Sequence, residues 1–288
     1  MSPEITAFFD SATSSYSYVV SDPGSKRCAI IDPVLDYDAA AGRISHAGAE
    51  RLVGHVRERG LTLDWLLETH VHADHLSAAA YLQRELGGRR AIGAGVTQVQ
   101  DSFARLFNLG REFATDGRQF DRLLQDGDCL GIGALSVRAL HTPGHTSACM
   151  SYLIGDAAFV GDTLFMPDYG TARCDFPGGD ARALYRSIRR LFELPGATRL
   201  FLCHDYKAPG REHYQYQTTV AEQRAHNVQV REGIDEDSFV AMRRARDAEL
   251  KMPALMLPAV QVNMRAGELP PAEDNGTRYL KIPLNMFP

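Results

Sequence analysis

The stretch Thr69-His70-Val71-His72-Ala73-Asp74-His75-Leu76 indicates both the fold and the function of this chain. It places three imidazoles and one carboxylate within six residues, directly after a buried strand predicted over 63–67. Side chains two positions apart in an extended segment point the same way, so His70 and His72 can share one ligand. Neutral imidazoles and carboxylates suit iron, zinc or manganese, and the thiolates typical of structural zinc sites are missing from this stretch. The stretch therefore predicts a metal site between this strand and a helix over 75–86.

Three further segments place the same kinds of side chain after predicted strands. His141 and His145 follow a strand over 135–140, Asp162 follows one over 157–160, and His204 ends one over 199–203. Residues at the ends of several strands can converge on one edge of a sheet, where functional sites are commonly built. The four segments together predict one metal site assembled from distant parts of the chain.

Composition and charge exclude several classes of protein. Of 288 residues, 44% are hydrophobic and 23% charged, which is typical of a globular protein of one or two domains. The net charge of −5 argues against the basic surface that nucleic-acid binding requires. No apolar run approaches the roughly 20 residues of a membrane-spanning helix, and the first residues lack a signal-peptide pattern. We therefore expect a cytoplasmic protein with neither nucleic acid nor a membrane as its partner.

The cysteines do not indicate a disulfide scaffold or a local zinc ribbon. Five are scattered along the chain without any C-x-x-C pair: Cys28, Cys129, Cys149, Cys174 and Cys203. Such sparse cysteines are typical of structural thiols in a reducing compartment.

Strand and helix patterns follow one another along the whole chain. Hairpins are predicted in the first 35 residues, and short strands over 150–154 and 157–160. Helices are predicted over 38–59, 75–86, 181–194, 214–231 and 235–249. This mixture indicates an α/β fold with at least two layers of sheet. From Met252 the chain is rich in proline but still apolar, so we expect it to pack on the surface or in a subunit contact.

The order of these residues resembles that of the metallo-β-lactamase superfamily. There, H-x-H-x-D-H is followed by a distant His, a Gly-Asp pair and a final His, and the match covers about residues 15–207. The resemblance implies an αββα sandwich, that is, two mixed sheets flanked by helices with the metal at one edge. It implies a catalytic domain over 1–232, followed by a C-terminal helix and proline-rich extension over 233–288 packed on it.

Three details resemble the persulfide dioxygenase branch and the related bacterial β-lactamase hydrolase-like proteins. They are the run from His141 to His145, the run Arg173-Cys174-Asp175-Phe176 after Asp162, and His204-Asp205-Tyr206. The resemblance implies oxidation of glutathione persulfide, or of a similar low-molecular-weight persulfide, by O2 to sulfite and thiol. It implies one Fe2+ per chain held by His70, His145 and Asp162. Around this metal, without binding it, would lie His72, Asp74, His75 and His204.

Residues after Asp162, up to and including the final histidine motif His204-Asp205-Tyr206, are expected to shape the pocket. Arg173 and Asp175 would form a buttress beside the metal, or an ion pair that only fixes their loop. Tyr206 would donate a hydrogen bond into the pocket or form part of its wall. The loop over 165–172, longer than is common in the dioxygenases, is expected to lie over the pocket and to influence which thiol is recognised.

The same residues leave two alternatives open. In a dinuclear zinc thioester hydrolase of the glyoxalase II type, Asp162 would bridge two metals. The resemblance assigns His70, His72 and His145 to one metal, and Asp74, His75 and His204 to the other. The chain could also be a non-catalytic metal-binding interaction module. We expect a small-molecule thiol or persulfide and O2 as substrates, and a homodimer as the assembly.

Overall fold

The computed structural model describes residues 2–286. In chain order the strands are β1 (Glu4–Asp10), β2 (Ser15–Ser21), β3 (Arg27–Ile31), β4 (Val34–Asp38), β5 (Arg43–Ser45), β6 (Thr62–Leu67), β7 (Leu76–Ser77), β8 (Arg89–Gly93), β9 (Arg122–Leu124), β10 (Cys129–Ile132), β11 (Leu135–His141), β12 (Met150–Ile154), β13 (Ala157–Phe159), β14 (Arg199–Phe201) and β15 (Gln217–Thr219). The α-helices are α1 (Ala47–Glu58), α2 (Ala79–Leu86), α3 (Val96–Leu106), α4 (Ala181–Phe192), α5 (Val220–His226), α6 (Glu236–Asp247) and α7 (Met256–Asn263). None of the helices described is long and apolar enough to cross a membrane.

Most strands lie in two six-stranded mixed sheets. The first has the order β1-β2-β3-β6-β8-β9, antiparallel from β1 to β3 and parallel from β3 to β9. The second has the order β10-β11-β12-β13-β14-β15 and is antiparallel except for the parallel pair β13 and β14. A small antiparallel sheet of β5, β4 and β7 lies beside them.

The hydrophobic clusters show how sheets and helices are layered. Tyr18 and Trp65 of the first sheet share one cluster with Tyr152, Phe159 and Phe201 of the second. The outer face of the first sheet packs on α1 and α2, and that of the second on α4 and α6. Strand β2 is buried along its whole length, because its alternate side chains point to two covered faces. The order helix, sheet, sheet, helix confirms the predicted αββα sandwich.

Helices α6 and α7 belong to the segment 233–288. Phe239 of α6 lies in one hydrophobic cluster with Leu184 of α4, and Val260 of α7 lies in another with Val96 of α3. Within residues 2–286, these two helices therefore have no core separate from the rest of the protein. The division of the chain at residue 232 into a catalytic domain and an extension stays a prediction.

The predicted helix over 38–59 is wrong over its first nine residues, 38–46. Only α1, from Ala47, is helical there, and β4 and β5 form a hairpin before it. The Asp38 carboxylate accepts hydrogen bonds from the backbone N–H groups of Ala40 and Ala41, at 3.0 and 3.1 Å. This side chain stabilises a turn, which competes with a helix for the same residues.

Two other helices begin later than predicted. In the segment 214–231, β15 first extends the second sheet, and α5 follows from Val220. The Thr219 hydroxyl and the Glu222 carboxylate form a capping box, which fixes this helix start. In the segment 75–86, residues Leu76–Ser77 pair with β4 before α2 begins. Pairing with neighbouring strands in each case overrides the helical pattern.

Candidate metal centre

The segment 69–75, called here the His70 motif, lies where the ends of the two sheets are joined. Strand β6 ends just before the motif, and the Met150 N–H of the second sheet donates to the Thr69 carbonyl at 2.8 Å. The Tyr16 N–H of the first sheet donates to the Cys203 carbonyl at 2.7 Å. Segments that follow β11, β13 and β14 therefore meet the motif at one edge of the sandwich.

His70, His145 and Asp162 form a potential metal-binding group. Their ligand atoms all lie within 4.8 Å of one another, and all three residues are buried. The Nε2 atoms of His70 and His145 lie 3.9 and 3.6 Å from the Asp162 Oδ2 atom. Two imidazoles and one carboxylate on one side of a metal are the ligand set of non-haem iron oxygenases.

The other ring nitrogens of this group are held by hydrogen bonds. His145 Nδ1 donates to the Arg173 carbonyl at 2.8 Å, and His70 Nδ1 lies 3.0 Å from the Thr69 hydroxyl oxygen. That hydroxyl donates to Asp32 at 2.8 Å, so it accepts from His70. With Nδ1 protonated in both rings, each Nε2 atom has its lone pair free for a metal.

A second group of potential ligands adjoins the first. The ligand atoms of His72, Asp74 and His75 also lie within 4.8 Å of one another. The His204 Nε2 atom lies 3.3 Å from both the Asp74 Oδ2 and the Asp162 Oδ1 atoms, and so connects the two groups. The structure thus brings together all seven residues that the sequence singled out for the metal site.

His72 differs from its neighbours because its Nε2 atom points into an acidic cluster. It lies 3.1 Å from the Asp32 carboxylate and 3.4 Å from the Glu68 carboxylate. Burial lowers the pKa of His72, but the charge and hydrogen bond of Asp32 outweigh it and raise the pKa well above the usual value. Only the Nδ1 atom of His72 is therefore available to a metal.

Buried polar atoms without hydrogen-bond partners indicate whether the site can hold a metal. Within residues 2–286, nine buried side-chain nitrogen and oxygen atoms have no hydrogen-bond partner. Six belong to this site: His70 Nε2, His72 Nδ1, Asp74 Oδ2, His75 Nε2, Asp162 Oδ1 and His204 Nε2. Buried polar atoms without partners are costly, and those gathered in one place commonly mark an ion. The residues present therefore fit a metal-binding site.

Burial also sets the protonation of two of these histidines. It lowers the pKa of His70 well below its usual value, and the neighbouring imidazoles lower it further. Burial and the nearby His72 lower the pKa of His75 to about 4. Both rings are neutral at pH 7, as metal binding requires.

A cavity of about 400 Å³ opens onto the site. Asp74, His145 and Asp162 form its floor. Its walls are largely apolar and aromatic, and include Phe165, Tyr169, Phe176, Tyr206, Leu250 and Leu255. A larger cavity, of about 650 Å³, lies between β5 and the C-terminal tail and contains none of the predicted ligands. The smaller cavity is therefore the candidate binding pocket, because it alone of these two reaches the metal-binding atoms.

The three predicted pocket residues all line this cavity or support its lining. Arg173 donates from Nε and Nη2 to the two oxygens of Asp175, each at 2.6 Å, and from Nη1 to the Lys251 carbonyl at 2.6 Å. These bonds fix the loop that carries Arg173. The Tyr206 ring stacks on the His204 ring with a centroid distance of 5.3 Å and lines the cavity.

The loop over 165–172 lies at the cavity, and one arginine ties it to the final histidine motif. Arg211 binds Asp205 through Nη1 and Nη2 at 2.5 and 2.6 Å. It binds Asp168, in the loop, through Nε and Nη2 at 2.6 and 3.2 Å. Burial raises the pKa of Asp205, but the Arg211 hydrogen bond and backbone N–H groups outweigh it and lower this pKa.

Sequence reasoning missed several residues that hold the site. Asp32 directly follows β3, just as the predicted ligands follow their strands. Its position in the sequence could therefore have identified it as a residue of the site. Arg211, Asp247 and Asn263 lie in segments whose contacts with the site depend on tertiary packing. Nothing in the local sequence pattern distinguishes them from ordinary surface or helix residues.

Comparison with families and curated proteins agrees with the geometry. The family described as the metallo-beta-lactamase superfamily matches residues 11–204. A probable metallo-hydrolase of Burkholderia pseudomallei is 62% identical, with 98% of this chain and 99% of that protein covered. A beta-lactamase hydrolase-like protein of Xylella fastidiosa is 51% identical over 98% of this chain, which spans 65% of that protein's length. A mitochondrial persulfide dioxygenase of Bos taurus is 30% identical, with 92% and 89% covered.

Among solved structures, the crystal structure of ETHE1 from Myxococcus xanthus is similar. The two chains superpose with a TM-score of 0.73 and are 32% identical. The match covers 92% of this chain and 100% of the other.

Proposed function

The chain belongs to the metallo-β-lactamase superfamily, and on that premise we propose that it is an iron-dependent persulfide dioxygenase. It oxidises glutathione persulfide, or a similar low-molecular-weight persulfide, with O2 to sulfite and the thiol. The observation that carries the proposal is the group His70, His145 and Asp162, of which His145 and Asp162 lie on the floor of a cavity of about 400 Å³. The persulfide dioxygenase among its relatives supports the same activity.

His70, His145 and Asp162 hold one Fe2+ in this proposal. A metal held by only these three side chains would have further coordination positions for the two substrates. Bound iron would orient the two substrates and pass electrons from the persulfide sulfur to O2. The reaction combines RSSH, O2 and H2O to give RSH, sulfite and two protons. The sulfur–sulfur bond breaks, the terminal sulfur is oxidised and O2 is reduced.

Asp74 and His204 are suited to move the protons that the reaction releases. Asp74 lies in the cavity floor, and its Oδ2 atom lies 3.3 Å from His204 Nε2. His204 Nδ1 lies 3.2 Å from the Ser15 hydroxyl. A carboxylate beside an imidazole can take a proton from the bound persulfide and pass it away from the metal. These residues, with His72 and His75, orient the site without binding the iron.

The cavity wall receives the thiol part of the substrate. The aromatic side chains of Phe165, Tyr169 and Phe176 exclude water from the reacting sulfur. Arg246 also lines the cavity and makes no ion pair within residues 2–286, so its charge is available to a substrate carboxylate. The Tyr206 hydroxyl donates a hydrogen bond to the substrate, while Arg173 and Asp175 stiffen the wall.

A dinuclear metallohydrolase is the second candidate. It is favoured by the group His72, Asp74 and His75, which supplies a further set of ligands, and by the name of the Burkholderia relative. With two metals, such as Zn2+, a bridging water would lose its proton near neutral pH and attack a thioester carbonyl. Metal stoichiometry separates the two candidates.

The test is metal binding and oxygen uptake by the same preparation. Apoprotein is titrated anaerobically with Fe2+ and separately with Zn2+, and each form is assayed with glutathione persulfide and with a glutathione thioester. The proposal predicts one Fe2+ per chain and oxygen uptake only with the persulfide. Two metals per chain with thioester hydrolysis and no oxygen uptake would establish the hydrolase instead. A cytoplasmic location and a homodimer remain predictions.

A further inference from the structure

We infer that the segment 233–288 contributes to the metal centre, because its residue Asn263 and its ion pair Arg243–Asp247 position metal-binding side chains. Asn263 acts on the His70 motif, and the ion pair acts on His145. The inference concerns metal binding and does not depend on which reaction the metal supports.

Asn263, the last residue of α7, holds the backbone of the His70 motif. Its Nδ2 atom donates to the carbonyls of His72 and His75, each at 2.8 Å. Its Oδ1 atom accepts from the Ser77 N–H at 2.7 Å. The residue is 4% exposed, so water has little access to these three bonds. Residues between Thr69 and His75 form neither helix nor strand, and their shape therefore depends on such side-chain bonds.

The Arg243–Asp247 pair lies on α6 and is buried, with side chains 2% and 7% exposed. Asp247 Oδ1 accepts from Arg243 Nε at 2.9 Å, while Oδ2 accepts from the Cys174 N–H at 2.9 Å. Arg243 Nη1 donates to the Thr171 carbonyl at 3.2 Å. The pair thus holds the main chain on both sides of Arg173.

That main chain orients His145. The Arg173 carbonyl accepts the Nδ1 proton of His145 at 2.8 Å, and this bond sets both the tautomer and the ring plane. A shift of residues 171–174 would move the carbonyl and turn the His145 ring away from Asp162. The ion pair is therefore connected to a metal ligand through two successive hydrogen bonds.

Simple packing is the competing explanation, because α6 and α7 also bury apolar side chains such as Phe239 and Val260. Packing alone would make the segment stabilise the fold without changing the metal affinity of the folded protein. Positioning predicts a change in metal affinity beyond any change in stability. The two explanations therefore differ in a measurable quantity.

The experiment compares full-length variants by Co2+ titration, followed by visible absorption, and by thermal unfolding of the apoprotein. Asn263→Leu removes the three hydrogen bonds of Asn263. The double variant Arg243→Met with Asp247→Leu removes the ion pair while leaving no buried charge unpaired, which preserves folding. Tyr185→Phe is the matched control: it removes the 2.9 Å bond from the Tyr185 hydroxyl to the Ile234 carbonyl, which also anchors the segment.

We expect both site variants to bind Co2+ about tenfold more weakly than the wild type, the low end of the 10–100-fold range for outer partners of a ligand. Their Co2+ spectra should also change, because the ligand geometry is altered. Tyr185→Phe should lower stability and leave affinity and spectrum unchanged. Affinities within twofold of the wild type and an unchanged spectrum in both site variants would overturn the inference. If the wild-type protein does not oxidise persulfide, the proposed function is contradicted, but the comparison of Co2+ affinities still tests this inference.

Discussion

The floor and the wall of the cavity are built in different ways. The floor consists of Asp74, His145 and Asp162, which follow strands of the sandwich and are buried or nearly so. The wall consists of the loop over 165–176 and residues 243–255, which are held by side-chain hydrogen bonds between distant segments. A rigid frame carries the metal ligands, whereas the wall is built from contacts between segments that are distant in sequence, and some of these contacts also orient His145. In the proposed function, the metal-binding residues carry the chemistry and the wall recognises the substrate.

The largest effect should follow from removing a ligand in the floor. His145→Ala should lower Fe2+ affinity by more than about 100-fold, because losing a ligand costs more than the 10–100-fold of losing its hydrogen-bond partner. Anaerobic Fe2+ titration measures this change. His226→Ala, at an exposed position at the end of α5, is the control and should bind iron normally. Normal binding by His145→Ala would remove His145 from the ligand set.

A second variant tests whether the frame depends on close packing near the floor. Gly144 has φ of +142°, and a Cβ atom there would lie 2.3 Å from the Leu184 backbone nitrogen. Gly144→Ala should lower the free energy of unfolding by about 3 kcal/mol, from overpacking and backbone strain together. Urea unfolding of the apoprotein measures it. Gly210 has a φ of +90° but open space around it. Gly210→Ala should therefore lower the free energy of unfolding by only about 1 kcal/mol. Equal losses would show that packing at Gly144 is unimportant.

The wall should respond more mildly than the floor. Arg211→Ala frees the loop from both Asp168 and Asp205, so the substrate must order the loop as it binds. We expect KM for the persulfide to rise about threefold to tenfold, equivalent to about 1 kcal/mol of ordering cost, with kcat within about twofold. The control is Arg118→Ala, which removes an exposed pair with Asp116. A fall in kcat with unchanged KM would place Arg211 in the machinery of the floor.

The smallest expected effect is on the stability of the two sheets, at Asp22, far from the cavity wall. Asp22 accepts from the Ala134 N–H at 2.8 Å and so ties the first sheet to the β10–β11 turn. This bond and the Ser25 hydroxyl lower the pKa of Asp22. Its ionised form therefore contributes stability above the unfolded pKa of about 3.9, and this contribution is lost as the pH falls through the lower folded value.

Asp22→Asn should accordingly be less stable than the wild type at pH 7, and the difference should narrow below about pH 4. Urea unfolding of both apoproteins at several pH values measures this. A difference that grows as the pH falls would contradict the assignment.

The sequence predicted which side chains come together at the metal centre and that Arg173, Tyr206 and the loop over 165–172 lie at the cavity, but it did not predict the contacts that α6 and α7 make there. His70, His145, Asp162 and His204 follow strands, and strand ends converge wherever a sandwich forms. The strands themselves follow from local patterns of apolar residues. Asn263 and Asp247 reach the site only through the packing of α7 and α6 on the sandwich. No local pattern of residues encodes such a contact. The predicted start of the helix over 38–59 was wrong for a similar reason, because pairing between β4 and β5 competes with the helical pattern.

The most direct test of the proposed persulfide dioxygenase activity is the stoichiometry of oxygen and sulfite in one reaction. Protein loaded with one equivalent of Fe2+ is mixed with a known amount of glutathione persulfide, and oxygen uptake and sulfite formation are followed together. We predict that one O2 is consumed and one sulfite is formed for each persulfide, and that both are lost in His145→Ala. Absence of oxygen uptake by the iron-loaded protein, with hydrolysis of a glutathione thioester by a form holding two metals, would contradict it.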